Sequence, residues 1–197
     1  MAIKPILFNT EMVRAILDGR KNATRRIVKG FIPDDAVWGY TAFTPKGYIS
    51  CRGTFADGYG EKFFKLPCEP GDILYVRETW KKAPNGYYYY EDWQRNDIAD
   101  VTKWKPSIHM PKEAARIWLK VTDVRVERLQ EITIDGIRNE GISSMAVHAG
   151  DMEIALKEWK NLWNSTIKKS DLDQHGWDAN PWVWVIEFER CEKPEGV

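Results

Sequence analysis

A chain of 197 residues is long enough for one domain with sizeable insertions and short for two full-sized domains. Its 29 basic residues balance 29 acidic ones, which excludes a uniformly cationic nucleic-acid coat and confines any polyanion site to a local patch. A hydrophobic fraction of 43%, with 13% aromatic residues and 10 tryptophans, excludes an intrinsically disordered chain.

No apolar run approaches the roughly 18 residues needed to span a bilayer, and residues 1–10 lack the apolar stretch of a secretory signal. The expectation is a soluble, cytoplasmic protein with no membrane partner. Cys51, Cys68 and Cys191 form no CxxC pair, so reduced structural thiols are expected rather than a disulfide framework. His109, His148 and His175 are scattered without ligand spacing, and neither a metal nor another cofactor is expected.

Ile6, Leu7 and Phe8 read as a short strand, followed by Asn9 and Thr10 as helix caps. Met12, Val13, Ile16 and Leu17 recur at helical spacing and predict a helix over about 11–18, closed by Gly19. The segment after Gly19 reads as a loop or tight turn. Residues 30–70 are rich in Gly, Pro and aromatics, with short alternating stretches such as Gly47 to Arg52 that suggest peripheral strands. Pro70-Gly71-Asp72 predicts a turn before a buried strand at 73–76, and Asn85-Gly86 before Tyr87 to Tyr90 predicts a hairpin of the primed-turn type. Alternation from Ile117 to Glu127 predicts a long half-exposed strand, bent near Thr122-Asp123.

Thr133 opens a short predicted helix ending near Gly141, with Asp135 in its first turn. Asp151 caps a longer one over 152–164, in which Met152, Ala155, Leu156, Trp159, Leu162 and Trp163 share a face. Residues 168–181 read as polar and irregular, and Trp182 to Phe188 as a central strand. The order lacks regular βαβ alternation and predicts an α+β protein, a single domain built on a small, strongly bent sheet or barrel. Insertions are expected at about 30–70, 81–116 and 143–181.

The run RKNATRRIVK at 20–29 carries five basic residues and no acid, a focused positive patch in a neutral protein. Its Arg side chains suit phosphate or carboxylate oxygens. A second basic stretch at Lys103, Lys105, Lys112, Arg116 and Lys120 is interleaved with Trp104 and Trp118, a pattern suited to stacking single-stranded bases. Trp80, Trp104 and Trp118 are the stacking candidates. Trp159, Trp163, Trp182 and Trp184 fall on core patterns.

Gly19, Lys21, Thr24 and Arg26 form G-x-K-x-x-T-x-R, which resembles the signature of activating-signal-cointegrator homology (ASCH) domains, relatives of the PUA RNA-binding barrel. The common pattern has Glu at the position of Thr24; the threonine form resembles small bacterial ASCH proteins that hydrolyse N4-acetylcytidine to cytidine and acetate. Gly71-Asp72-Ile73-Leu74, Leu129 to Ile142 and Trp184 to Phe188 resemble further family segments. KPILFNTEMVRAILDGRK, YVRETW, SIHMP and WDANPWVWVIEF also resemble a longer phage and prophage ASCH group. The resemblance implies a PUA-like small bent β-barrel with flanking short helices and peripheral insertions, and a catalytic set of Lys21, Thr24 and Glu140, with Glu78 a rival carboxylate.

In that set Lys21 would take the proton of the weakly nucleophilic Thr24 hydroxyl, helped toward its neutral form by Arg20, Arg25 and Arg26, and Glu140 would protonate the leaving amine. Arg20, Arg25, Arg26, Glu78, Trp80 and Trp104 would bind the substrate, a nucleoside or single-stranded RNA or DNA. The same residues fit a non-catalytic RNA or modified-DNA binding module, in which Lys21 contacts phosphate, Thr24 caps a turn and Glu140 is the salt partner of a basic residue. A ribonuclease is a further alternative, without a metal or histidine constellation to support it.

Overall fold

The computed structural model describes residues 1–95 and 102–196; part of the insertion expected at 81–116, residues 96–101, lies outside them. The chain folds as α+β. Strand β1 (Ile3–Leu7) leads into helix α1 (Thr10–Leu17), whose cap Asn9 accepts a hydrogen bond from the Met12 amide. Strands β2 (Ala23–Ile27), β3 (Val37–Gly39), β4 (Tyr48–Phe55), β5 (Gly58–Lys65) and β6 (Ile73–Arg77) follow. A hairpin of β7 (Trp80–Ala83) and β8 (Gly86–Tyr89) precedes α2 (Tyr90–Arg95). The rest of the chain supplies β9 (Trp118–Arg128), α3 (Ile134–Asn139), α4 (Met145–Ala149), α5 (Met152–Thr166), α6 (Leu172–His175) and β10 (Trp182–Cys191).

The main sheet has the order β1-β6-β9-β10-β2, parallel only between β1 and β6. It does not close into the expected barrel. Strands β1 and β2 are its two edges, and the Arg26 guanidinium crosses between them to the Leu7 carbonyl at 2.8 Å. β9 and β10 form the long central pair. Glu187 faces Asp123 and Phe188 faces Val121, so Thr122 is an extra residue at the predicted bend.

Alternate residues of β10 divide the core. Trp184, Ile186 and Phe188 pack with Phe8, Val13, Ile16 and Leu119 on one face, while Val183 and Val185 pack with Ile137, Trp159 and Trp163 on the other. Burying a Trp or Leu side chain contributes about 1.5–3 kcal/mol each, so this two-sided packing is what seats α1 and α5 on opposite faces.

Two local expectations are corrected. The basic segment after Gly19 is not all loop: residues 23–27 form β2, paired with β10. Charge hid this strand, because the sequence pattern is polar while Ala23, Thr24 and Arg25 are buried. The hairpin at Asn85-Gly86 forms, but Ala83 pairs with Gly86, leaving Pro84-Asn85 at the centre of the turn. Proline holds φ near −65°, which excludes a primed turn there. The 30–70 segment forms a separate antiparallel sheet of β3, β4 and β5.

Candidate functional site

The turn after α1 is held from both sides. The Arg20 and Lys21 amides donate to the Ala15 carbonyl, the Asn22 amide donates to Asn139, and Lys21 forms an isolated β-bridge with Glu140. Glu140 is the C-cap of α3, whose N-cap Thr133 accepts from the Gly136 amide. Gly141 adopts φ 96°, and a Cβ there would lie 2.8 Å from Ala15 and 3.1 Å from Lys21, so a glycine is required where α1 and α3 meet.

Lys21 is fully buried at its side chain. Its Nζ donates to the Ala23 carbonyl at 2.7 Å, the Glu140 carbonyl at 3.1 Å and Glu140 Oε2 at 2.6 Å, which occupies all three donors of an ammonium group. Burial pushes the Lys21 pKa below its ordinary value; Glu140 opposes this, and Arg26 and Arg25 add to it. Glu140 Oε1 accepts from Arg25 Nη1 at 3.2 Å, and Arg25 Nη2 reaches Glu127 at 3.3 Å. The buried Arg25 Nε makes no hydrogen bond to a described residue.

Thr24, Arg25, Arg26 and Glu140 line one cavity of about 20 Å³, closed on its far side by Trp159, Leu162, Trp163 and Thr166 of α5. That volume suits one water molecule. Glu140, 119 residues from Lys21 in sequence, thus bonds Lys21 and lines the cavity together with Thr24, Arg25 and Arg26. On β2, Thr24 lies in register with Ile186 and Arg25 with Val185, so the two residues leave the strand on opposite faces and meet the cavity at the sheet edge.

The other expected site residues stand apart. Arg20 is half-buried, bonding the Gly141 carbonyl at 2.6 Å and Asp18 at 3.1 Å, and braces the turn. Glu78 is buried at a separate ion cluster, where Arg116 grips it with two 2.9 Å contacts and also bonds Asp92. Burial raises the Glu78 pKa, with Arg116 opposing. Trp80 is 4% exposed and Trp118 3%, both packed in a core with Tyr75 and Met110 rather than presented for stacking. Trp104 is half-buried, edge-to-face with Tyr90 and Trp93. Packing against Tyr75 and Met110 buries the Trp80 and Trp118 rings and leaves neither face open for a stacked base.

Sequence reasoning assigns Trp159, Leu162 and Trp163 to one packed helix face and misses them, with Glu127, as neighbours of this cluster. The period-two pattern of β9 carries the signal for Glu127: Arg125 and Arg25 both oppose Val185, which places Glu127, two residues on, along the Arg25 face. Among the described residues, no three His, Cys, Asp or Glu side chains are grouped to hold a metal ion, and no helix is long and apolar enough to cross a membrane.

No family model and no curated protein matches the chain. Among solved structures it is similar to an ASCH domain from Lactobacillus crispatus JV V101, at 11% identity and a TM-score of 0.40, over 96% of this chain and 79% of that one. It is also similar to the hypothetical protein PH0355, at 14% identity and a TM-score of 0.38, over 97% of this chain and 100% of that one. Likeness at this level says nothing about chemistry.

Proposed function

We propose that the protein binds a pyrimidine nucleoside unit at the Lys21, Thr24 and Glu140 cluster and hydrolyses an N-acyl amide on its base, of the N4-acetylcytidine type. One observation carries this reading: the buried 2.6 Å contact between Lys21 and Glu140 stands beside a cavity lined by Thr24, in the motif spacing that resembles ASCH amidohydrolases. Burial favours the neutral lysine that a proton acceptor requires.

In this chemistry the Thr24 oxygen attacks the acyl carbon while its proton passes to neutral Lys21. The oxyanion that forms is met by the unpartnered Nε of Arg25. When the carbon–nitrogen bond breaks, the proton travels from Lys21 through Glu140 to the departing amine. Water then cleaves the acyl-threonine ester, releasing the acid and restoring the hydroxyl. Small-molecule sites occupy about 300–1,000 Å³, so a nucleoside enters only when α5 shifts its Leu162 and Trp163.

A second reading, a non-catalytic nucleic-acid binder, is favoured by the full occupation of the Lys21 donors and by the water-sized cavity. Incubation with N4-acetylcytidine, followed by chromatography of the products, separates the two. Cytidine release that is lost in Thr24→Ala supports hydrolysis; release no faster than in that variant leaves the binder.

A further inference from the structure

The small sheet has the order β3-β4-β5, so β5 is an edge strand with no partner on its outer side among the described residues. Folded proteins blunt such edges with short strands, prolines, bulges or covering segments. The other edges follow this rule: β3 has three residues, β7 and β8 have four each, β1 carries Pro5, and Arg26 bridges β2 to β1. β5 has eight residues, no proline, and a register to β4 that runs without a bulge from Gly58 opposite Phe55 to Lys65 opposite Tyr48. Tyr59 is 74% exposed and Phe63 38%, so the edge also carries apolar surface.

The ladder decides which backbone groups face outward. The Leu66 amide donates to the Gly47 carbonyl at 2.9 Å, and antiparallel alternation turns the amides of Gly60, Lys62 and Phe64 toward β4 and those of Tyr59, Glu61, Phe63 and Lys65 away from it. A second β5 can pair antiparallel with this edge about a two-fold axis only where outward groups meet outward groups, so the axis passes between the same residue of both copies. Centred on Phe63, the pairing sets Glu61 opposite the second copy's Lys65 and Lys65 opposite its Glu61, with the two Phe63 residues between them. On the other face Lys62 meets the second copy's Phe64, as it already meets Phe55 of its own chain at 4.3 Å from the ring centroid. Centred on Lys62, the two lysines oppose each other; centred on Glu61, the two glutamates do; centred on Gly60 or Phe64, no opposite charges meet.

We propose that β5 pairs with β5 of a second copy of this chain in the Phe63-centred register, joining two three-stranded sheets into one of six strands. Phe64 and Lys65 also line a groove of about 390 Å³ beside Arg26. The pairing brings the second copy's Glu61 to the Lys65 side of that groove, so each copy supplies a charge to the other's groove. The assembly is independent of the chemistry at Thr24.

Sedimentation velocity over a range of protein concentrations, from about 1 to about 200 μM, is the test. One strand pair makes a small interface, so the expected dimer has a Kd of about 10–100 μM. Glu61→Lys and Lys65→Glu should each weaken self-association by about tenfold or more, because like charges then oppose at both ends of the pairing. Both side chains are exposed, so the fold tolerates either change. An equimolar mixture of the two variants should dimerise again, since every lysine at these positions then meets a glutamate.

Amide hydrogen exchange gives the second readout. Exchange at Glu61, Phe63 and Lys65 should slow as concentration rises, while Lys62 and Phe64, already bonded to β4, change little. A monomer at every concentration overturns the proposal, whether the edge then stays bare or takes a strand of a different protein. A dimer unmoved by Glu61→Lys, or variants whose mixture stays monomeric, overturns it as well.

Discussion

Lys21 Nζ lies 2.6 Å from Glu140 Oε2, across 119 residues of sequence, with the two side chains 0% and 3% exposed. The contact ties the turn after α1 to the end of α3 and sets the ion pair next to the cavity that Thr24 lines. A buried pair of this kind is costly to break from one side, because the remaining charge keeps its desolvation penalty without its partner.

Glu140→Ala is therefore expected to destabilise the fold by about 3–5 kcal/mol, since it leaves the buried Lys21 without a carboxylate and Arg25 with Glu127 alone. Lys21→Met/Glu140→Ala should cost less than the two single changes added together, by about 0.5–3 kcal/mol. Urea denaturation of the four proteins measures both. Strict additivity would mean that the two groups do not interact energetically.

The depressed Lys21 pKa gives stability a definite pH dependence. Between the folded value and the ordinary value of 10.5, the unfolded chain binds the lysine proton and the folded one does not. Stability therefore rises with pH through that window, the charged form being penalised in full below it. Urea midpoints compared between wild type and Lys21→Met should show a component that increases toward pH 10 in the wild type alone. In turnover, the same ionisation should appear as a rate that climbs with pH and levels off below the ordinary lysine value.

Arg116 is the main counterion of Glu78 and also sits 4.1 Å over the Tyr89 ring. Arg116→Ala should cost about 3–5 kcal/mol at pH 7 by leaving Glu78 buried without it. The Glu78 carboxyl is already raised, so the folded state holds its proton more tightly than the unfolded state does. Stability of the variant should recover as pH falls from 7 toward 5, and Arg116→Ala/Glu78→Gln should lose that recovery. Thermal melts over this range provide the check, and a flat profile in Arg116→Ala contradicts it.

Leu162 is half-buried on α5 and faces the Thr24 cavity. Leu162→Ala should widen the space above Thr24 at a cost of about 1–2 kcal/mol. On the proposed chemistry, kcat/KM for N4-acetylcytidine should rise several-fold while the Lys21 pH profile is unchanged. A fall in activity greater than the loss of stability explains would show that Leu162 contacts the substrate instead of obstructing it.

Periodicity and caps made much of the fold legible. Asn9, Thr133 and Asp151 announced their helices because side-chain oxygens satisfy the first free amides locally. Alternation revealed β9 and apolar density revealed β10, and the extra residue Thr122 was visible as a break in the pattern. The fixed spacing of Lys21 and Thr24 pointed to one site, whereas Trp80 and Glu78 looked equally functional, since a polar or aromatic residue carries no sequence mark of what will bury it.

The sequence by itself determined the α+β class, the main helices and the local charge of residues 20–29, all properties of neighbours a few residues apart. Only the tertiary structure decided that this charged run enters a sheet, that the sheet stays open between β1 and β2, and that Glu140 rather than Glu78 meets Lys21. These depend on pairing between segments distant in the chain, such as β2 with β10 and Lys21 with Glu140, where register and burial select one carboxylate for the cation. The same long-range packing set α5 over Thr24 and left the groove beside Arg26 open.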